Sequence, residues 1–181
     1  MSIRKNSTQK TRVNIFHMNQ QAFNFLTKLP KECGGSQALN KRKCKRVLAV
    51  KSPIHLVLRS DKAKGIYSFV NHQATLNKLI TRLAKKHRIK IYSYAINWNH
   101  IHFVIRIFDQ QNYKHWIRDL AGQIVQCISL KTKTHLSKFF TVRPYTRLVS
   151  WGREFKTVMD YQILNKMEIF GLRPRKKGNS S

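Results

Sequence analysis

Between residues 53 and 170 the spacing of apolar positions changes several times, and each change marks an element. Pro53-Ile-His-Leu-Val-Leu-Arg59 alternates apolar and polar with period two, which predicts a strand. From Asn71 to Lys86 the apolar positions are Leu76, Leu79, Ile80 and Leu83, the spacing of one helix face. Ile89 to Trp98 is rich in β-formers, and His100 to Ile107 alternates cleanly again. Asn97-Trp98-Asn99 between them is a turn sequence, so the two strands form a hairpin. A strong amphipathic helix follows, marked by Trp116, Ile117, Leu120, Ala121, Ile124, Val125 and Ile128. A β-rich segment from about Phe139 to Val149 precedes a last helix from about Arg153 to Phe170, stopped by Gly171 and Pro174. The order β-α-β-β-α-β-α predicts an α+β fold: a ferredoxin-like split βαβ sandwich, an antiparallel sheet with helices on one face, plus a C-terminal helix.

Outside this region the pattern fades. Residues 1–50 read as a basic N-terminal arm, with a short amphipathic helix near Gln21 to Leu29 and a charge run from Asn40 to Arg46 that includes Lys41, Arg42 and Lys43. Residues 51–172 form the folded domain, and 173–181 read as a disordered basic tail.

The strand from His100 carries more than a fold signal. Side chains two apart share a face. One face is Ile101, Phe103, Ile105 and Ile107; the other is His100, His102, Val104 and Arg106. The first belongs under the helices, and the second is expected to stay open, with two imidazoles ~7 Å apart along the backbone and able to converge on one ion. The strand at Ile54 repeats the design, placing His55, Val57 and Arg59 opposite an apolar face. If its register is regular, the strand between puts Lys90, Tyr92, Tyr94 and Trp98 on the same open face, a layout suited to stacking unpaired bases; a core role for these aromatics is the equal alternative. A His-x-His pair alone is as compatible with a structural role as with a metal.

Charge narrows the choice of partner. The 181 residues hold 36 Lys and Arg against 7 Asp and Glu, a formal charge of +29. Such an imbalance repels itself unless a polyanion shares it, and nucleic acid is the usual one. An anionic membrane surface would call for a polybasic amphipathic helix or a lipid anchor, and neither is evident; no apolar stretch is long enough to span a bilayer. With no secretory h-region and an odd set of three cysteines lacking CxxC spacing, the expected compartment is the cytoplasm, in association with the nucleoid. Acids this sparse disfavour a carboxylate-clamped two-metal nuclease and leave imidazole as the better ligand.

On the last helix Phe155, Met159, Ile163, Met167 and Phe170 form an apolar stripe, while Tyr161 and Asn165, one turn apart, share the roughly opposite side. Taken alone, that side reads first as a solvated face. Together, however, His-hydrophobe-His on a central strand and Tyr-x-x-x-Asn on a following helix resemble the HUH single-tyrosine transposases, within the group related to REP-associated tyrosine transposases. The similarity runs from about Gly34 to Gly171. It includes Pro53-Ile-His-Leu-Val-Leu-Arg-Ser60, Asn99-His-Ile-His-Phe-Val-Ile-Arg106, Asp119-Leu-Ala-Gly122, Thr146-Arg-Leu-Val-Ser-Trp-Gly-Arg-Glu-Phe155 and Tyr161-Gln-Ile-Leu-Asn165.

The resemblance implies that the last helix is catalytic, with Tyr161 as nucleophile. It also implies that His100, His102 and Asn165 hold Mg2+ or Mn2+, and that the substrate is hairpin-forming single-stranded DNA, cut to leave a 5′-phosphotyrosine and a free 3′-OH. It implies a monomer or a homodimer. Two departures stand out: Lys166 follows the asparagine where relatives commonly have proline, and Asn97-Trp98-Asn99 replaces a turn that often contains proline. His55, Arg59 and Arg106 are the expected DNA contacts, with Lys41, Arg42 and Lys43 of the arm. A replication initiator or relaxase would carry a further histidine near the pair or a second nearby tyrosine, and neither pattern is present. The competing reading is a non-catalytic module that binds single-stranded nucleic acid, which accounts for the charge and the aromatics but not for the His pair together with Tyr161 and Asn165.

Overall fold

The computed structural model describes residues 32–35, 38, 46, 48–169 and 171–172. The helix expected near Gln21, the basic residues Lys41, Arg42 and Lys43, and the tail 173–181 lie outside them. In chain order the elements are β1 (Glu32–Cys33), β2 (Ile54–Arg59), α1 (Gln73–Lys86), β3 (Lys90–Ile96), β4 (His100–Arg106), α2 (Gln110–Thr132), β5 (Tyr145–Leu148) and α3 (Arg153–Ile169). All pairings are antiparallel, in the order β1-β5-β2-β4-β3. The sequence β2-α1-β3-β4-α2-β5 on that order is the ferredoxin-like split βαβ arrangement, with β4 inserted between β2 and β3. Glu32–Cys33, within the stretch expected as an arm, adds a short outer strand to β5. Gly34 makes that approach feasible: at φ +87° its missing Cβ would lie 2.2 Å from the Pro144 carbonyl oxygen.

The main core follows from the alternation. Ile54, Leu56 and Leu58 of β2 and Ile101, Phe103 and Ile105 of β4 are essentially fully buried. They meet Leu76, Ile80 and Leu83 of α1 and Trp116, Leu120, Ile124 and Ile128 of α2. Asp109 caps α2, accepting the Asn112 backbone N–H at 2.8 Å. Asp119 ties the two helices together by accepting from Lys86 Nζ at 2.9 Å and His87 Nε2 at 2.8 Å. Among the described residues no helix is long and apolar enough to cross a membrane.

The other sheet face is not open, as the alternation had suggested. α3 lies across its middle, where Val104 (0% exposed), Val149 and Val158 form a second small core flanked by Tyr92, Phe155 and Met159. The expected burial of α3 is also rotated. Val158, Gln162 and Asn165 face the sheet, whereas Ile163 and Met167 of the apolar stripe face solvent. The start of the helix sets that rotation. Glu154 accepts the Ser150 backbone N–H at 2.8 Å and pairs with Arg147 of β5, and the Trp151 indole N–H donates to the Lys51 carbonyl at 2.9 Å. Anchored at that end, the helix packs Phe155 and Met159 of the stripe against the second core and leaves Ile163 and Met167 outside. Its other end closes at Gly171 (φ +69°), whose N–H donates to the Glu168 carbonyl at 3.2 Å while Leu172 N–H reaches Met167 at 3.0 Å.

These placements separate two substitutions that look alike in sequence. Phe103→Ala is expected to lower the unfolding free energy in urea by about 3–5 kcal/mol, and Ile163→Ala by less than about 0.5 kcal/mol.

Candidate active site

β2 and β4 pair so that Arg59 lies opposite His100, Val57 opposite His102 and His55 opposite Val104. Their site-facing side chains therefore interleave. His102 is 6% exposed, and its Nδ1 and the Nε2 of His55 are hydrogen-bonded at 3.2 Å. Its other ring nitrogen, Nε2, is buried with no partner. His100 sits edge-on to His102, with centroids 4.7 Å apart, and is bracketed by the hairpin turn. Its Nδ1–H donates to Asn99 Oδ1 at 2.8 Å, and Asn97 Nδ2 donates to its Nε2 at 3.0 Å. The Asn97-Trp98-Asn99 turn is thus what orients His100. Burial is the main cause that holds both inner histidines neutral. It pulls His55 down to about 4, helped by Arg147, and His102 to about 3, helped by His100 and His55.

α3 supplies the facing side. Tyr161 is 47% exposed, with its ring edge-on to His102 at 5.7 Å between centroids. Asn165, one turn further on, is buried, and its Nδ2 lacks a partner. The sequence reading missed Gln162. It is fully buried next to Tyr161, with neither amide atom hydrogen-bonded. Its signal was positional: four residues after Val158 and three before Asn165, it lies on the side that packs on the sheet. Orphaned polar atoms inside a fold are costly and mark a place where a ligand can supply the missing bonds.

The expected DNA contacts divide. His55 is turned inward against His102 and Tyr145. Arg59 is exposed and pairs with Asp61 at 3.1 Å. Arg106 donates to the Val50 carbonyl at 3.3 Å and lies over the Phe108 ring, 5.4 Å from its centroid. The aromatic row on β3 does not form. A bulge between Ile91 and Ser93 puts Tyr92 against Trp151 and Phe155 under α3, while Tyr94 goes to the opposite face beside Phe103, donating to Asn77 at 3.2 Å. Trp98 alone of the row stays largely exposed, at the mouth of a cavity of about 330 Å3 also lined by Lys64, Asn97, Asn99, His100 and Glu168. Lys166 reaches over the Tyr94 ring, 5.8 Å from its centroid.

The family model for IS200-like transposases matches residues 49–161, which span β2 through Tyr161. The chain belongs to that family. Among solved structures, one described as a REP-associated tyrosine transposase bound to a REP hairpin is similar, with a TM-score of 0.56 at 11% identity over 71% of this chain and 74% of that one. This likeness shows the shared fold. A candidate transposase from Deinococcus radiodurans R1 also matches, with a TM-score of 0.44 at 11% identity over 69% of this chain and 98% of that one. Among curated proteins no match was found.

Two outcomes follow from the buried polar groups. The unfolded chain takes up protons on His55 and His102 near pH 6.5, whereas the folded chain resists until about 4 and 3. Their contribution to stability is therefore complete above pH 6.5 and is lost as pH falls below it. The urea midpoint is expected to drop between pH 6.5 and 4.5, above most carboxylate titrations, with a shallower slope in His55→Gln. Separately, Gln162→Met is expected to raise unfolding stability by about 1–2 kcal/mol, because it removes two unsatisfied atoms; an unchanged or lowered midpoint would show that the amide is satisfied in solution.

Proposed function

We propose that this transposase cuts single-stranded, hairpin-forming DNA by attack of Tyr161, with His100, His102 and Asn165 holding Mg2+ or Mn2+. One observation carries the reading: the Tyr161 ring stands edge-on to His102, whose Nε2 is buried without a partner. Among the described residues no group of three or more His, Cys, Asp or Glu is placed to hold a metal, so the third ligand has to be of another type. The Asn165 amide suits that role. Its buried Nδ2 gains nothing from its present orientation, and turning the amide over brings the carbonyl oxygen, the metal-binding end, to the same place. His102 Nε2 and the Asn165 amide oxygen would be open donors, and His100 Nε2 would join them by giving up its contact with Asn97 Nδ2, a set that fits a divalent cation.

A bound divalent cation would supply charge neutralisation at the scissile phosphate. The protein's own part is to bring the phenol into line. Tyr161 Oη bonds to phosphorus as the bond from phosphorus to the 3′ oxygen breaks. The phenolic proton goes to solvent or a nearby base, and the departing oxygen becomes a 3′-OH once protonated. The 5′-phosphotyrosine left behind keeps the phosphoester energy for rejoining. Cations on the strands and the formal charge of +29 favour a polyanionic substrate. The REP hairpin bound by the structural relative motivates the choice of DNA form.

Incubated with labelled single-stranded hairpin DNA and Mn2+, the protein is expected to form an adduct that survives denaturation. Tyr161→Phe should abolish it, and His102→Ala should reduce it at least 100-fold with DNA binding largely retained. No adduct with any hairpin would favour a non-catalytic binding module, and an adduct in Tyr161→Phe would remove the nucleophile assignment.

A further inference from the structure

We propose that His55 is a positioning residue: it accepts a hydrogen bond from His102 Nδ1–H and so locks His102 in the tautomer whose Nε2 offers a lone pair to the site. The proposal rests on the metal reading above for its purpose, though not for its geometry. The His55 and His102 ring planes are within 6° of parallel, their centroids are 5.4 Å apart, and the facing nitrogens are 3.2 Å apart. The centroid distance exceeds the nitrogen distance by about two ring radii, so the rings meet edge to edge and the hydrogen bond lies in their planes. One nitrogen must carry a proton and the other a lone pair. If His55 donated, the single proton of His102 would sit on Nε2, a buried N–H with no acceptor, and no cation could bind there. If His102 donates, its Nε2 is a bare lone pair, and a Lewis acid is the partner it lacks.

His100 shows the same arrangement independently. Asn99 Oδ1 is an acceptor, so Nδ1 of His100 must donate to it, and the Nε2 lone pair accepts from Asn97 Nδ2. The two site histidines are then in the same tautomer, each fixed at Nδ1 by a neighbour, one from β2 and one from the hairpin turn. Ligand histidines are usually held by a carboxylate or a carbonyl at the second nitrogen. In a chain this poor in acids, an imidazole takes that role. It also explains why a histidine stands at position 55, facing inward on a strand otherwise built for the sheet.

The experiment reads the tautomer directly. Long-range 1H–15N correlation spectra of the metal-free, histidine-labelled full chain at pH 8 are expected to show His102 protonated at Nδ1. In His55→Phe the His102 pattern should move toward the Nε2–H form, and in His55→Gln, whose side-chain carbonyl reaches the same place, it should be retained. Mn2+ affinity, measured by titration calorimetry, should fall 10- to 100-fold in His55→Phe and recover in His55→Gln. Wild-type His102 protonated at Nε2 would overturn the proposal without need of any variant, as would a His55→Phe spectrum unchanged at His102. Wild-type protein with the assigned tautomer but no Mn2+ binding would support the role of His55 and sink the metal reading alone.

Discussion

A strand with a helical layer on each side has no face left for water, and β4 is in that position. Its odd-numbered residues sit beneath α1 and α2; of its even-numbered ones, the central pair His102 and Val104 is buried on the side of α3, while His100 and Arg106 at the ends are half-buried. The site's chemistry follows from this double burial. An imidazole cut off from water cannot stay charged without a partner, so His102 is neutral and must find its hydrogen bonds among neighbouring side chains. His55 is the partner within reach. The same packing brings the Tyr161 ring to His102, because the helix that covers the strand is the helix that carries the tyrosine.

The few acids are placed where the fold needs them. Asp109 caps α2, Asp119 joins α1 to α2, and Glu154 anchors α3 while Arg147 bridges it toward Glu32. Glu154 is held down to about 2 by the Ser150 backbone N–H and by Arg147, so it keeps its anchoring charge throughout ordinary pH. Those four acids tie elements together, while Glu168 lines the cavity beside His100. The formal charge of +29 suits a polyanion.

Much of this was legible in the sequence. Strict alternation at Ile54–Arg59 and His100–Arg106 gives the central pair of strands and their register, because a slip of one residue would take Ile101 and Phe103 out of the main core and put histidines in their place. The helices on the core face follow from equally clear stripes. Two features were not legible, for different reasons. The bulge at Tyr92 is a property of strand pairing, and the residues around it alternate no differently from a regular strand. The rotation of α3 was hidden because its most apolar stripe packs on the sheet only through Phe155 and Met159, and Gln162 and Asn165 take over the buried side further on. Contacts at Glu154 and Trp151, made with partners distant in sequence or on another strand, outweigh the stripe. Gln162 was overlooked for a related reason: a buried polar residue without partners contradicts ordinary folding logic, and such contradictions gather where function has a claim on the structure.

The bulge also has a bearing on how the molecule meets others of its kind. Among the described residues β3 is the outer strand of the sheet on its side, with no strand paired along its outer edge. A straight outer strand rich in Ile and Tyr is a template onto which another chain can add. The irregularity at Tyr92 breaks the row of backbone donors and acceptors near its middle, and Lys90 sets a charge at its start. The kink that removes an aromatic row from the site face thereby makes the strand a poor seed for aggregation.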